Sequence, residues 1–164
     1  MGNLVDELKF VPILHSANYG TSGVNSTSIN MKNYHHATLV FTFGAITGDS
    51  TLTIKSAAAA DTGTTAISDW TGWMTGADIG AAASDTFSAT AVAVDSGEDY
   101  ATLTAATYDN RMVVIEIPAS KLAAGHSWIR VEIDDTATAG IVHCVAVLQP
   151  RYKQKDIPTA VKTA

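Results

Sequence analysis

Apolar residues recur at every second position through most of this chain, the period of a half-buried β-strand. Ala37, Leu39, Phe41 and Phe43 share one face of such a run, with Thr38 and Thr42 opposite. Leu52 and Ile54 alternate with Thr51, Thr53 and Lys55, and Val113, Ile115 and Ile117 alternate with an outward Glu116. The cleanest case is 127–134, where Ile129, Val131 and Ile133 lie on one side and Trp128, Arg130, Glu132 and Asp134 on the other. Residues 141–148 are apolar on both faces, which predicts a central strand or one covered by a neighbouring subunit. Val142, Cys144, Ala146 and Leu148 are therefore candidates for a subunit contact.

Weaker strand patterns span 8–15, 26–31, 86–94 and 100–105, the first interrupted by Pro12 and so expected at a sheet edge. Gly44, Gly48-Asp49, Asp61-Thr62-Gly63, Ser96-Gly97 and Asp109-Asn110 are turn signals between them. Pro118 to Gly125 has the residues of a single helical turn. Residues 57–85, rich in Ala, Gly and Thr around Trp70 and Trp73, show no clear period. About eight strands with few or no helices predict one all-β domain, an antiparallel sandwich of jelly-roll type.

Composition sharpens this reading. The 164 residues are 46% hydrophobic and only 16% charged, well below the usual quarter, and a chain of this length buries a core without disulfides or a structural metal. Residues 1–150 hold six Lys/Arg against fifteen Asp/Glu, a net −9, whereas residues 151–164 hold four Lys/Arg and one acid, a net +3. An acidic body repels phosphate backbones, so nucleic acid is not an expected partner. Arg151, Tyr152, Lys153 and Lys155 begin a basic tail suited to docking on an acidic surface. Cys144 is the single cysteine, which excludes an internal disulfide. The first ten residues carry acids where a secretory signal needs positive charge, Asp6 stands where a myristoylation motif wants Ser or Thr, and no apolar run reaches the length of a membrane helix. The expectation is a protein of the cytoplasm with no membrane partner.

Catalytic patterns are not found in the sequence. His35-His36 and His143-Cys144 are adjacent pairs, and on strands adjacent side chains point to opposite faces, so neither pair chelates one ion. The acids at 95–99 and 134–135 lack the spacing of a calcium loop and read as solvated turns. Glu116 and Glu132 read as residues that keep a sheet face wet. No phosphate-binding loop, nucleophile elbow or dinucleotide fingerprint occurs. No catalytic, cofactor or metal residue is therefore assigned. The one aromatic concentration is Trp70-Thr71-Gly72-Trp73-Met74. Two tryptophans so placed suit either a buried or interfacial anchor or a stacking platform for sugar rings.

Two segments carry a resemblance. The first runs Ile29-Asn30-Met31-Lys32-Asn33-Tyr34-His35-His36-Ala37-Thr38-Leu39-Val40-Phe41. The second runs from Ile117-Pro118-Ala119-Ser120-Lys121-Leu122 through Gly125-His126-Ser127-Trp128-Ile129-Arg130-Val131-Glu132 to Ala146-Val147-Leu148-Gln149-Pro150-Arg151-Tyr152. In these the chain resembles small structural proteins of tailed bacteriophages, in particular head decoration (cement) proteins. The resemblance implies a non-enzymatic virion protein, made in the bacterial cytoplasm. Such a protein binds the outer surface of the major capsid protein lattice as a homo-oligomer, often a trimer, and stabilises the head. It also implies extended arms, for which residues 18–28 and the basic tail are the candidates. Other virion roles in tail, neck or fibre, and a carbohydrate-binding module, are the alternative readings.

Overall fold

The computed structural model describes residues 4–135, 140–152 and 159–162. Twelve strands are described: β1 Lys9–Asn18, β2 Val24–Asn25, β3 Ile29–Asn30, β4 Tyr34–Ile46, β5 Ser50–Ala57, β6 Thr65–Ala66, β7 Thr71–Thr75, β8 Phe87–Ala93, β9 Ala101–Leu103, β10 Met112–Pro118, β11 Trp128–Asp135 and β12 Gly140–Pro150. Among the described residues helix is confined to α1 Leu4–Glu7, α2 Ala105–Tyr108 and the 3-10 turns Gly20–Ser22 and Ala119–Lys121. None of these is long and apolar enough to cross a membrane.

All the pairings are antiparallel. One sheet has the order β1-β12-β4-β10-β7-β8; in the other, β2 and β3 flank β11, which pairs with β5, whose far edge carries β6 and β9. Setting aside the insertion β6–β8, and counting β2 with β3, eight strands remain, and all but the adjacent β5 and β9 alternate between the sheets. This is the jelly-roll order. The insertion extends the larger sheet beyond β10 by two strands.

The period-two pattern places the core. Ala37, Leu39, Phe41, Val113, Ile115, Ile117, Val142, Cys144, Ala146 and Leu148 from the larger sheet meet Leu52, Ile54, Ile129, Val131 and Ile133 from the smaller, all buried. Phe41 and Phe43, two apart on β4 and so on one face, stack with ring centroids 5.9 Å apart. As expected from Pro12, β1 lies at the edge of its sheet, and its register with β12 shifts between Pro12 and Leu14. Gly44 does not end its strand: β4 continues through it to Ile46 and turns at Gly48-Asp49.

Residues 18–28 do not form an arm. Tyr19 is 2% exposed, Ser26 and Ser28 are buried, and β2 pairs with β11. The physical reason is the phenol, which the segment must carry into the core. A Cβ on Gly140 would lie 2.0 Å from the Tyr19 Oη, so only glycine lets β12 begin there, and Tyr19 N–H donates to the Gly140 carbonyl at 3.0 Å.

The end of the chain is not wholly free either. Ala160 is 1% exposed, its carbonyl accepts from Asn30 N–H at 2.7 Å, and Val161 bridges to Ile29. Residues 159–162 thus add to the edge of the smaller sheet, although β12 leaves from the larger. A chain shortened to end at residue 158 should therefore lose about 1–3 kcal/mol of stability, from one buried backbone bond and small apolar side chains. Denaturant unfolding checks this, and an unchanged midpoint counts against the packing of this segment.

On the outer face of β11, Glu132 pairs with Lys55 at 2.5 Å and with Arg130, whose Nη1 also donates to the Asp61 carbonyl at 2.9 Å. Burial pushes the Glu132 carboxyl up, but the hydrogen bonds and charges of Lys55 and Arg130 outweigh it and hold it below its ordinary 4.5. A carboxyl whose pKa is lower folded than unfolded contributes stability above the unfolded value and loses it as pH falls through the folded one. The stability difference between the natural chain and Glu132→Gln should accordingly narrow on acidification from about pH 6 to about pH 3. Urea titrations at each pH measure it; a constant difference would remove the ion pairs as its source.

Candidate functional site

Strand β12 is apolar on both faces because it is central, lying between β1 and β4. The sequence reading took the wrong one of those faces for contact. Val142, Cys144, Ala146 and Leu148 are fully enclosed between the two sheets and cannot touch another subunit while the chain is folded. The set left facing outward is Ile141, His143, Val145 and Val147.

Register extends this set into a surface. Val145 stands beside Pro12 of β1 and Val40 of β4, and Val40 stands beside Val114 of β10, which stands beside Trp73 of β7. A second row places Phe10 beside Val147 and Val147 beside Thr38. Phe10, Pro12 and Ile141 are exposed and the valines half-buried. Across β1, β12 and β4 this face presents no Asp, Glu, Lys or Arg between Phe10 and Pro12, 141 and 147, or 38 and 42. Scattered apolar residues are ordinary on a surface, but a contiguous band marks an interaction site.

At the other side of the same sheet the surface becomes mixed. Trp70 and Trp73 line one pocket with His36, Asp69, Thr71, Glu116, Pro118 and Lys121, a cavity of about 240 Å³. The two tryptophans differ because β7 alternates. Trp73 is 40% exposed, whereas Trp70 is 4% exposed and belongs to the core. The Trp70 Nε1–H finds no acceptor among the described residues, and an unpaired buried donor costs about 1–3 kcal/mol. Gly72 holds β7 in place between them, since a Cβ there would lie 2.6 Å from the Val114 carbonyl and 2.7 Å from Ile115 Cγ1.

The polar rim is made of one ion pair and one looser carboxylate–imidazole contact. Lys121 Nζ binds Asp69 Oδ2, and His36 Nε2 lies 3.7 Å from Glu116 Oε2. Sequence reading assigned His36 and Glu116 other roles and did not join these four residues, because they lie in four separate segments. Lys121 sits on the 3-10 turn after β10, Asp69 just before β7, His36 on β4 and Glu116 on β10. The β10–β4 register, with Pro118 opposite His36 and Glu116 opposite Thr38, brings them together, and no linear motif signals it. Only Asp69, adjacent to Trp70, carries a local hint.

Among the tail candidates, Arg151 is fixed rather than free. Its N–H donates to the Asn33 carbonyl at 2.9 Å and its Nε to the Tyr34 carbonyl at 3.1 Å. Tyr152 is 74% exposed, and Lys153 and Lys155 lie outside the described residues. Among the described residues no three His, Cys, Asp or Glu side chains converge as a metal site would need. His35 is exposed and its neighbour His36 half-buried on the opposite face, in keeping with strand alternation.

Burial pushes the Cys144 thiol well above its ordinary range, and the reactive species is the thiolate. Cys144 should therefore react with a thiol reagent such as DTNB only as the whole domain unfolds, at a rate that follows denaturant concentration. Rapid labelling of the folded chain would contradict the enclosed position of β12.

The site must be interpreted from its own geometry: no protein-family model, no curated protein and no solved structure matches the chain.

Proposed function

We propose that the chain is a non-enzymatic structural protein of a tailed-phage particle. In this reading it is a decoration protein that docks on the outer surface of the major capsid protein lattice, as an oligomer of the trimeric kind, and stabilises the head. The observation that supports this reading is the uncharged band of Phe10, Pro12, Val40, Ile141, Val145 and Val147 on the larger sheet. The chain carries a net charge of −6, so copies repel one another over most of their surface and approach most easily where charge is missing. Apolar contact of this kind favours a partner lattice whose sites are presented in register, where many modest contacts add. A sandwich of jelly-roll order suits a mechanical role, since load along the strands is shared by two packed sheets.

The test is occupancy on capsid shells lacking this protein. Val147→Glu places an unpaired carboxylate in the band without entering the core, so the variant should melt like the natural chain. It should bind shells at least about tenfold more weakly, because a charge taken into an interface without a partner is strongly unfavourable. Full occupancy by Val147→Glu would move docking to another surface, and failure of the natural chain to bind any capsid would end the decoration reading.

A further inference from the structure

We propose that the pocket between β7, β10 and the Ala119–Lys121 turn binds a neutral sugar ring stacked on Trp73. This goes beyond the docking reading and does not depend on it. Its stacking residue Trp73 lies on β7, three strand spacings or about 14 Å from β12, and although His36 brings the pocket as near as β4, none of the band residues named for docking lines it.

Three observations converge on this class of ligand. An indole held at 40% exposure in the middle of a strand offers a fixed apolar face, the surface on which the C–H face of a pyranose packs. Around it stand hydrogen-bonding groups of both kinds: the Asp69 and Glu116 carboxylates as acceptors, the Lys121 ammonium as a donor, and the His36 imidazole. Vicinal sugar hydroxyls both donate and accept, and so match such a mixed rim better than a ligand with one kind of group. Among the described residues the rim offers no free cation, since Lys121 is taken by Asp69 and the only other basic group, the His36 imidazole, stands 3.7 Å from Glu116. That disfavours an anionic ligand.

Size agrees with a single ring. About 240 Å³ falls below the roughly 300–1,000 Å³ of sites for drug-sized molecules. One hexose of about a dozen heavy atoms should bind in the millimolar range, as expected for modest ligand efficiency, and repeated copies on a particle would raise this by avidity. A nucleobase is also flat and neutral, but it arrives with phosphates that the acidic body repels. A quaternary ammonium prefers an aromatic cage of several rings, and here one ring is exposed.

The experiment uses the full chain on an array of immobilised glycans, followed by tryptophan-fluorescence titration with methyl hexopyranosides, with adenosine and choline as controls. At least one glycan should bind, and Trp73→Ala should weaken it at least about tenfold with the melting temperature unchanged, because this indole is largely outside the core. Trp73→Tyr should retain most of the binding. Glu116→Gln should weaken it severalfold without altering the fold. Val147→Glu should leave glycan binding intact even where it abolishes capsid occupancy, which separates this inference from the docking reading. No binding to any glycan, binding indifferent to Trp73→Ala, or binding of adenosine or choline in place of sugars would each overturn the proposal.

Discussion

The whole architecture depends on β12, the strand that has no polar face. Its inward residues complete the core between the sheets, and its outward residues lie at the centre of the larger sheet, flanked by β1 and β4. Because β1 begins the described sandwich and β12 nearly ends it, their pairing closes the longest loop in the chain. The larger sheet cannot be completed until nearly all of the sequence is present. Long-range antiparallel pairing of this kind makes folding slow and leaves apolar edges exposed while it proceeds. The native fold limits that exposure by placing Pro12 and a register shift at the β1 edge, where Pro12 cannot donate to a further strand.

Most of the fold is legible in the period-two pattern of the sequence. Every inward set read from alternation on β4, β5, β10 and β11 is buried, and the jelly-roll class follows from their number and spacing. What alternation cannot supply is the choice between two apolar faces. On β12 both faces read alike, and only the neighbours across the ladder decide which of them meets the other sheet. Strands of two residues, such as β2, β3 and β6, escape for a different reason: two positions contain no period. They exist because a longer strand, β11 or β5, offers them a ladder.

Composition misleads where a single large side chain outweighs it. Residues 18–28 are rich in Gly, Ser and Asn, which suits a mobile arm, yet Tyr19 carries the segment into the core and Gly140 is shaped to receive it. The same holds at the tail, where Ala160 is small but buried at the edge of β3. The pocket was half legible. The aromatic pair stood out in the sequence, but the rim is assembled by strand register from residues up to 85 positions apart, His36 and Lys121, and register between distant strands leaves no mark on either.

The two outer faces of the sandwich have been built differently. On the smaller sheet, outward positions of β5 and β11 carry threonines, Trp128 and the Lys55–Glu132–Arg130 network, mostly side chains that satisfy one another or water. On the larger sheet, outward positions of β1, β12 and β4 are mostly valine, isoleucine, proline, phenylalanine and threonine, and charge returns near β7 and β10, around an exposed indole. A protein stabilised only for its own sake has no use for this asymmetry, because an uncharged outer face adds nothing to its core and invites association. The asymmetry is explained if the larger sheet works against other molecules: an apolar partner surface over β12, and a polar, ring-shaped ligand beside Trp73. The insertion β6–β8 is then more than an appendage to the jelly roll, since without β7 there is neither the indole nor the wall that makes a pocket of the sheet's outer surface.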